Sequence, residues 1–206
     1  MKKLIVLSIV FISIYASAQN NTELYDIIEA VSEQRIEKDI KTLAHFGTRN
    51  TFSDTISNTR GIGAARRWIK NEFETISKTC NNCLEVFYQK DFVTKEEHKR
   101  IPHDTWVVNV VAIQRGTKYP NRYIIMSGDI DSRASNTMDF TTDAPGANDN
   151  ASGMAGTIES ARVLSNYTFE SSIVYVGLSG EEQGLFGGAG LAKYAKDNNW
   201  DIVGVL

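Results

Sequence analysis

Apolar positions change period along the chain, and the changes mark out its elements. Leu24, Ile27, Ile28 and Val31 recur at helical spacing, and Ile36, Ile40 and Leu43 repeat it on a second segment. Residues 47–58 are polar and read as a loop. Helical spacing returns over residues 60–77, with Ala64, Trp68, Phe73 and Ile76 as predicted core positions. Residues 85–92 and 105–114 are then rich in β-branched and aromatic side chains, the composition of strands. The charged link 93–104 between them predicts an exposed connection and an antiparallel pair. Residues 122–127, with Tyr123, Ile124, Ile125 and Met126, form a short apolar run that predicts a buried strand.

From there the order is helix, strand, helix, strand. Residues 151–164 predict a helix with Met154, Ile158, Ala161 and Val163 or Leu164 inward. Residues 172–178 predict a strand, 185–196 a helix, and 202–206 the start of another strand. Such alternation implies parallel strands joined by right-handed crossovers, with helices over the sheet faces. The predicted fold is α/β, a three-layer αβα sandwich. Its sheet is mixed because the beginning is antiparallel, and mostly parallel after it.

The first residues read as a leader. Lys2 and Lys3 precede an apolar run over 4–15 interrupted only by Ser8 and Ser13, and Ala16-Ser17-Ala18 offers a small-residue cleavage site. The run is too short to span a bilayer comfortably. Residues 1–18 are thus expected to be a signal peptide and 19–206 one domain, exported to a periplasm or secreted, with no membrane attachment after processing. Loss of the two lysines takes the formal charge from −3 to −5. A mildly acidic chain has no broad attraction for nucleic acid or anionic lipid. Cys80 and Cys83 lack two further soft ligands nearby, and their place between helix and strand is the wrong order for a thioredoxin-like motif. They are a structural disulfide or two unremarkable thiols. Oligomeric state is not legible.

Open α/β sheets build sites beyond the carboxyl ends of their strands. Gly128-Asp129-Ile130-Asp131 follows one predicted strand, Gly180-Glu181-Glu182-Gln183-Gly184 follows another, and Asn148-Asp149-Asn150 precedes the helix between them. Each acidic cluster alone also reads as helix capping or as charge placed against a helix dipole. Three clusters on one sheet edge instead require a cation to relieve their repulsion, which is a metal-site signal.

Gly146-Ala147-Asn148-Asp149-Asn150-Ala151-Ser152-Gly153, together with Gly180-Glu181-Glu182-Gln183-Gly184-Leu185, resembles the di-zinc aminopeptidase family. That family includes bacterial leucyl aminopeptidases, and it is similar to glutamate carboxypeptidases and to the transferrin receptor ectodomain. The resemblance implies the phosphorylase/hydrolase-like zinc exopeptidase fold, two zinc ions and a peptide substrate. It makes Asp149 the carboxylate bridging the metals, Glu182 a metal ligand, Glu181 the general base and Asp131 a carboxylate that orients a ligand. Where the family carries His two positions before that Asp, this chain has Asp129. A carboxylate also binds zinc, and it favours harder cations such as Mn²⁺ or Mg²⁺ somewhat more. His45, His98 and His103 read as surface or packing residues. The resemblance also implies an Asp and a His ligand beyond residue 202, so the 206-residue chain alone is expected to be inactive and its sheet unfinished. The function expected is exopeptidase, most simply aminopeptidase. The alternatives are a dipeptidase or carboxypeptidase on the same fold, or a catalytically inactive binding module.

Overall fold

The computed structural model describes residues 22–206, so the leader expected at 1–18 lies outside the described residues. Helix α1 spans Thr22–Glu29 and α2 Glu33–His45, with the Ser32 side chain accepting from Arg35 N at the start of α2. α3 spans Gly61–Thr79. The strands are β1 (Leu84–Val93), β2 (Thr105–Gln114), β3 (Tyr119–Asp129), β4 (Ser171–Leu178) and β5 (Asp201–Val205). Helix α4 (Ser152–Leu164) joins β3 to β4. The single turn α5 (Glu181–Gly184) and α6 (Phe186–Asp197) join β4 to β5.

The sheet order is β1-β2-β4-β3-β5. β2 is antiparallel to both β1 and β4, while β3 is parallel to β4 and to β5. Only β2 therefore runs against the others, and the sheet is mixed and mostly parallel, as the residue pattern predicts. Its two faces follow from the two-residue period of strands. Val110, Ala112, Ile173 and Tyr175 face α2, α3 and α4, whereas Val111, Ile113, Val174, Val176, Tyr123 and Ile125 face the layer containing Leu191 of α6. This is the αβα sandwich. Ile62, Ile69 and Phe73 on α3 are wholly buried in the first core, and each such side chain contributes about 1.5–3 kcal/mol.

The differences from the expected elements have local causes. Trp68 is half-buried at the rim, its ring 6.4 Å from Phe46. α1 buries no residue, because no other described element covers its apolar stripe. The helix expected from 185 is preceded by a separate turn, since Leu185 is left-handed (φ 63°) and breaks α5 from α6. Cys80 and Cys83 form a disulfide that closes the corner between α3 and β1.

Candidate metal centre

Asp129 ends β3 and is in register with Leu178 at the end of β4. Gly180 then turns the chain with φ +75°, a conformation that costs glycine little, and Glu181 and Glu182 follow at once. Asp149 comes from the irregular turn Ala147–Ala151, whose Asp149–Asn150 peptide is cis. That turn approaches β3 closely because Gly128 has no side chain: a Cβ there would lie 2.6 Å from Gly153 C and Met154 N. Glycine at this point lets α4 carry Asp149 to the strand tips.

Asp149 does not cap α4, while Glu181 and Glu182 stand in the first turn of α5. No side chain caps the turn at 147–151 or the start of α4, and the Ser152 hydroxyl donates to Asn148 O instead. The carboxylates act on one another. Burial pushes the Asp129 carboxyl up to about 6, and the charges of Glu181 and Asp149 push in the same direction. Glu182 is raised by burial and by Glu181 and Asp149, against the opposing pull of Arg133 and Arg100. Asp129 and Glu182, at the carboxyl ends of β3 and β4, thus both feel the charges of Glu181 and of the exposed Asp149.

Asp131 is 2% exposed. Its Oδ1 accepts from Glu181 N and its Oδ2 from Glu182 N, each at 3.2 Å. The Thr51 hydroxyl also donates to Oδ2, at 3.3 Å. Asp131 therefore clamps the backbone that presents the glutamate pair. Burial raises its carboxyl to about 7, opposed by those two backbone donors. Two buried guanidinium groups lie close enough for its charge to act on them, and burial lowers both Arg49 and Arg66 to about 10. Arg49 donates to the carbonyls of Ile130, Pro145 and Gly146 at 2.8, 2.6 and 3.0 Å. It ties the segment before Asp149 to the segment after Asp129.

Sequence reasoning missed these arginines. Arg49 stands in a polar stretch that reads as loop, and an arginine there is ordinarily solvated. It also missed Arg133, whose Nε lies 2.9 Å from Glu182 Oε2, and Arg100, whose Nη1 donates to Glu182 O at 2.9 Å. Arg100 arrives because the link between β1 and β2 ends on the same sheet edge. None of the histidines pairs with Asp129. His45 contacts Lys41 O, His103 lies edge-on to Phe52, and His98 packs against Phe186 beside α5.

The donor chemistry fits a divalent cation: an all-oxygen set in which Asp129 and Glu182 are partly desolvated and raised, while Asp149 is exposed. Among the described residues, however, no three His, Cys, Asp or Glu side chains are gathered closely enough to hold an ion as they stand. Arg133 meanwhile supplies the counter-charge at Glu182.

Comparison with known proteins agrees with this fold. Residues 109–206 match the model of Peptidase family M28. A probable zinc metalloprotease of Leptosphaeria maculans is 40% identical over 184 residues, covering 89% of this chain and 42% of that protein. The chain therefore spans about two-fifths of the length of such curated relatives. Among solved structures, the Legionella pneumophila LapA aminopeptidase superposes with a TM-score of 0.71 at 18% identity, covering 100% of this chain and 50% of that one. A Fimbriiglobus ruber glutaminyl cyclase superposes with a TM-score of 0.64 at 19% identity, covering 85% and 60%. At such identities the likeness establishes the fold, and this fold carries more than one chemistry.

Proposed function

We propose that this chain, whose residues 109–206 match the model of Peptidase family M28, forms part of a zinc-dependent exopeptidase of that family, an aminopeptidase acting outside the cytoplasm on peptides with a free N-terminus. The supporting observation is the placement of Asp129 at the end of β3 and of Glu181 and Glu182 just beyond the end of its parallel neighbour β4, with Asp149 in the turn before the helix that joins them. Export is supported by the leader-like start and by the Cys80–Cys83 disulfide, a bond that persists in oxidising compartments.

In this reading Asp129, Asp149 and Glu182 would hold the metal. Bound zinc would supply a Lewis acid that lowers the pKa of water and polarises a scissile carbonyl. Glu181 accepts the proton from the attacking water and passes it to the leaving amine. Asp131 keeps Glu181 and Glu182 on their separate tasks by holding both backbone N–H groups at once. Arg133 has to give up Glu182 when that carboxylate turns to a cation.

The test is turnover of the zinc-supplied full-length protein, of which this chain forms part, on a free peptide and on its N-acetylated counterpart. Release of the N-terminal residue from the free peptide alone is the expected outcome. Glu181→Gln is expected to lower kcat by about 10²–10⁴-fold, the usual worth of a general base, with bound zinc unchanged. Equal turnover by the variant removes Glu181 from the mechanism. Cleavage of both peptides alike removes the exopeptidase reading. A second reading, a peptidase-like module that binds without turnover, draws on the Arg133–Glu182 pair; it predicts neither stoichiometric zinc nor hydrolysis.

A further inference from the structure

A cleft of about 650 Å³ opens between α3 and β1, lined by none of Asp129, Asp149, Glu181 and Glu182. Its wall carries four cations, Arg66, Arg67, Lys70 and Lys90, against one carboxylate, Glu74, with the Tyr88 hydroxyl among them. The placement follows from sequence spacing. Arg66, Arg67 and Lys70 fall within little more than one turn of α3, while Tyr88 and Lys90 share the β1 face that turns toward that helix. Val108, the register partner of Lys90 on β2, lines the same wall.

The cations are not equally engaged. Arg67 donates to the carbonyls of Thr55, Ile56 and Ser57, so its fork is used in holding the loop before α3. Lys70 pairs with Glu74 and lies over the Tyr88 ring at 5.8 Å. Arg66 differs. It is 7% exposed, its Nε donates to Ser179 Oγ at 3.4 Å, and its Nη2 is buried without a hydrogen-bond partner. An unmet guanidinium donor inside a wall of like charges is costly unless an anion completes it. Glu74 offsets Lys70 and the buried Asp131 acts on Arg66, but Arg67 keeps its charge while bonded to carbonyls and Lys90 adds another, so the wall stays net positive and favours an anion.

We propose that this cleft is a binding site for a phosphate group, free or carried on a small organic molecule, gripped by Arg66 and Lys90 with the Tyr88 hydroxyl beside them. Ser179, the other partner of Arg66, stands two residues before Glu181. An anion drawing on Arg66 therefore touches the support of the turn that presents the glutamate pair. The site itself does not depend on the peptidase reading.

Calorimetric titration with inorganic phosphate tests it, using metal-stripped protein so that phosphate has no metal to coordinate. Saturable 1:1 binding is expected, weakened about tenfold in Lys90→Met and in Arg66→Met, and unchanged in Lys118→Met, whose cation pairs with Glu170 at another edge. Lys90 is exposed on β1, so Lys90→Met decides the matter even where Arg66→Met does not fold. Sulfate should compete, and chloride at equal ionic strength should not. Titration with glycerol phosphate separates the two sources: tighter binding assigns the cleft to organic phosphates, equal binding to the free anion. No saturable binding by the unmodified protein, binding by Lys90→Met equal to it, or equal competition by chloride would overturn the proposal.

Discussion

Single side chains carry two of the consequences. Asp129 stands where the resembling family carries histidine, and its carboxyl is raised to about 6 by burial and by Glu181 and Asp149. Asp129→His removes one negative charge from that field and supplies a softer donor, so zinc affinity is expected to rise about tenfold, in line with zinc's preference for imidazole. Competition against a chromophoric chelator measures it, and an unchanged affinity puts Asp129 outside the ligand set. Asp39 on α2 is a separate case. It is 3% exposed, its Oδ2 has no partner, and burial, with Glu72 and Glu159, lifts its carboxyl to about 6. An acid raised on folding binds more protons in the folded state between its two pKa values. Stability therefore falls as pH rises from about 4 to about 6, and the penalty of about 3 kcal/mol stays in full above that range. Asp39→Asn should stabilise the protein by about 1 kcal/mol at pH 8 and have almost no effect at pH 4. Urea unfolding at both values checks this, and an equal gain at both would refute the assignment to Asp39.

Among the elements, the contact between β3 and α4 brings the site together. Gly128 permits it, because a Cβ there would lie 2.6 Å from the backbone of Gly153 and Met154. Backbone, unlike a flexible side-chain tip, cannot give way cheaply. Gly128→Val is thus expected to cost about 3 kcal/mol, lowering Tm by about 6–12 °C in a domain of this size. Differential scanning fluorimetry would show the shift, and a Tm within a degree or two of the parent would mean that α4 does not depend on this glycine. The periodicity that locates α4 and β3 contains no such information: an isolated glycine in a strand pattern marks a close approach but not what approaches.

On the scale of the whole molecule, β5 is the exposed side of the sheet. Val203 is 46% and Val205 63% exposed, and no described residue pairs with the outer edge of this strand. An apolar edge of this kind recruits further strands, so the 206-residue chain is expected to self-associate with rising concentration. Val203→Lys should reduce that association in sedimentation velocity, and a concentration-independent monomer in the unmodified chain would count against it. The sequence by itself determined the layer order, the common direction of β3, β4 and β5 and the sheet edge at which Asp129, Glu181 and Glu182 stand. All of these follow from local period and from the rule that crossovers return each parallel strand to the same end. Only the tertiary structure decided that Asp131 clamps the glutamate turn by its backbone, that Arg49 ties two distant segments together, that Arg133 and Arg100 reach Glu182, and that Arg66 is left with an unmet donor. Such roles are set by which side chains the packed chain leaves without water, and desolvation depends on neighbours remote in sequence, which no local pattern records.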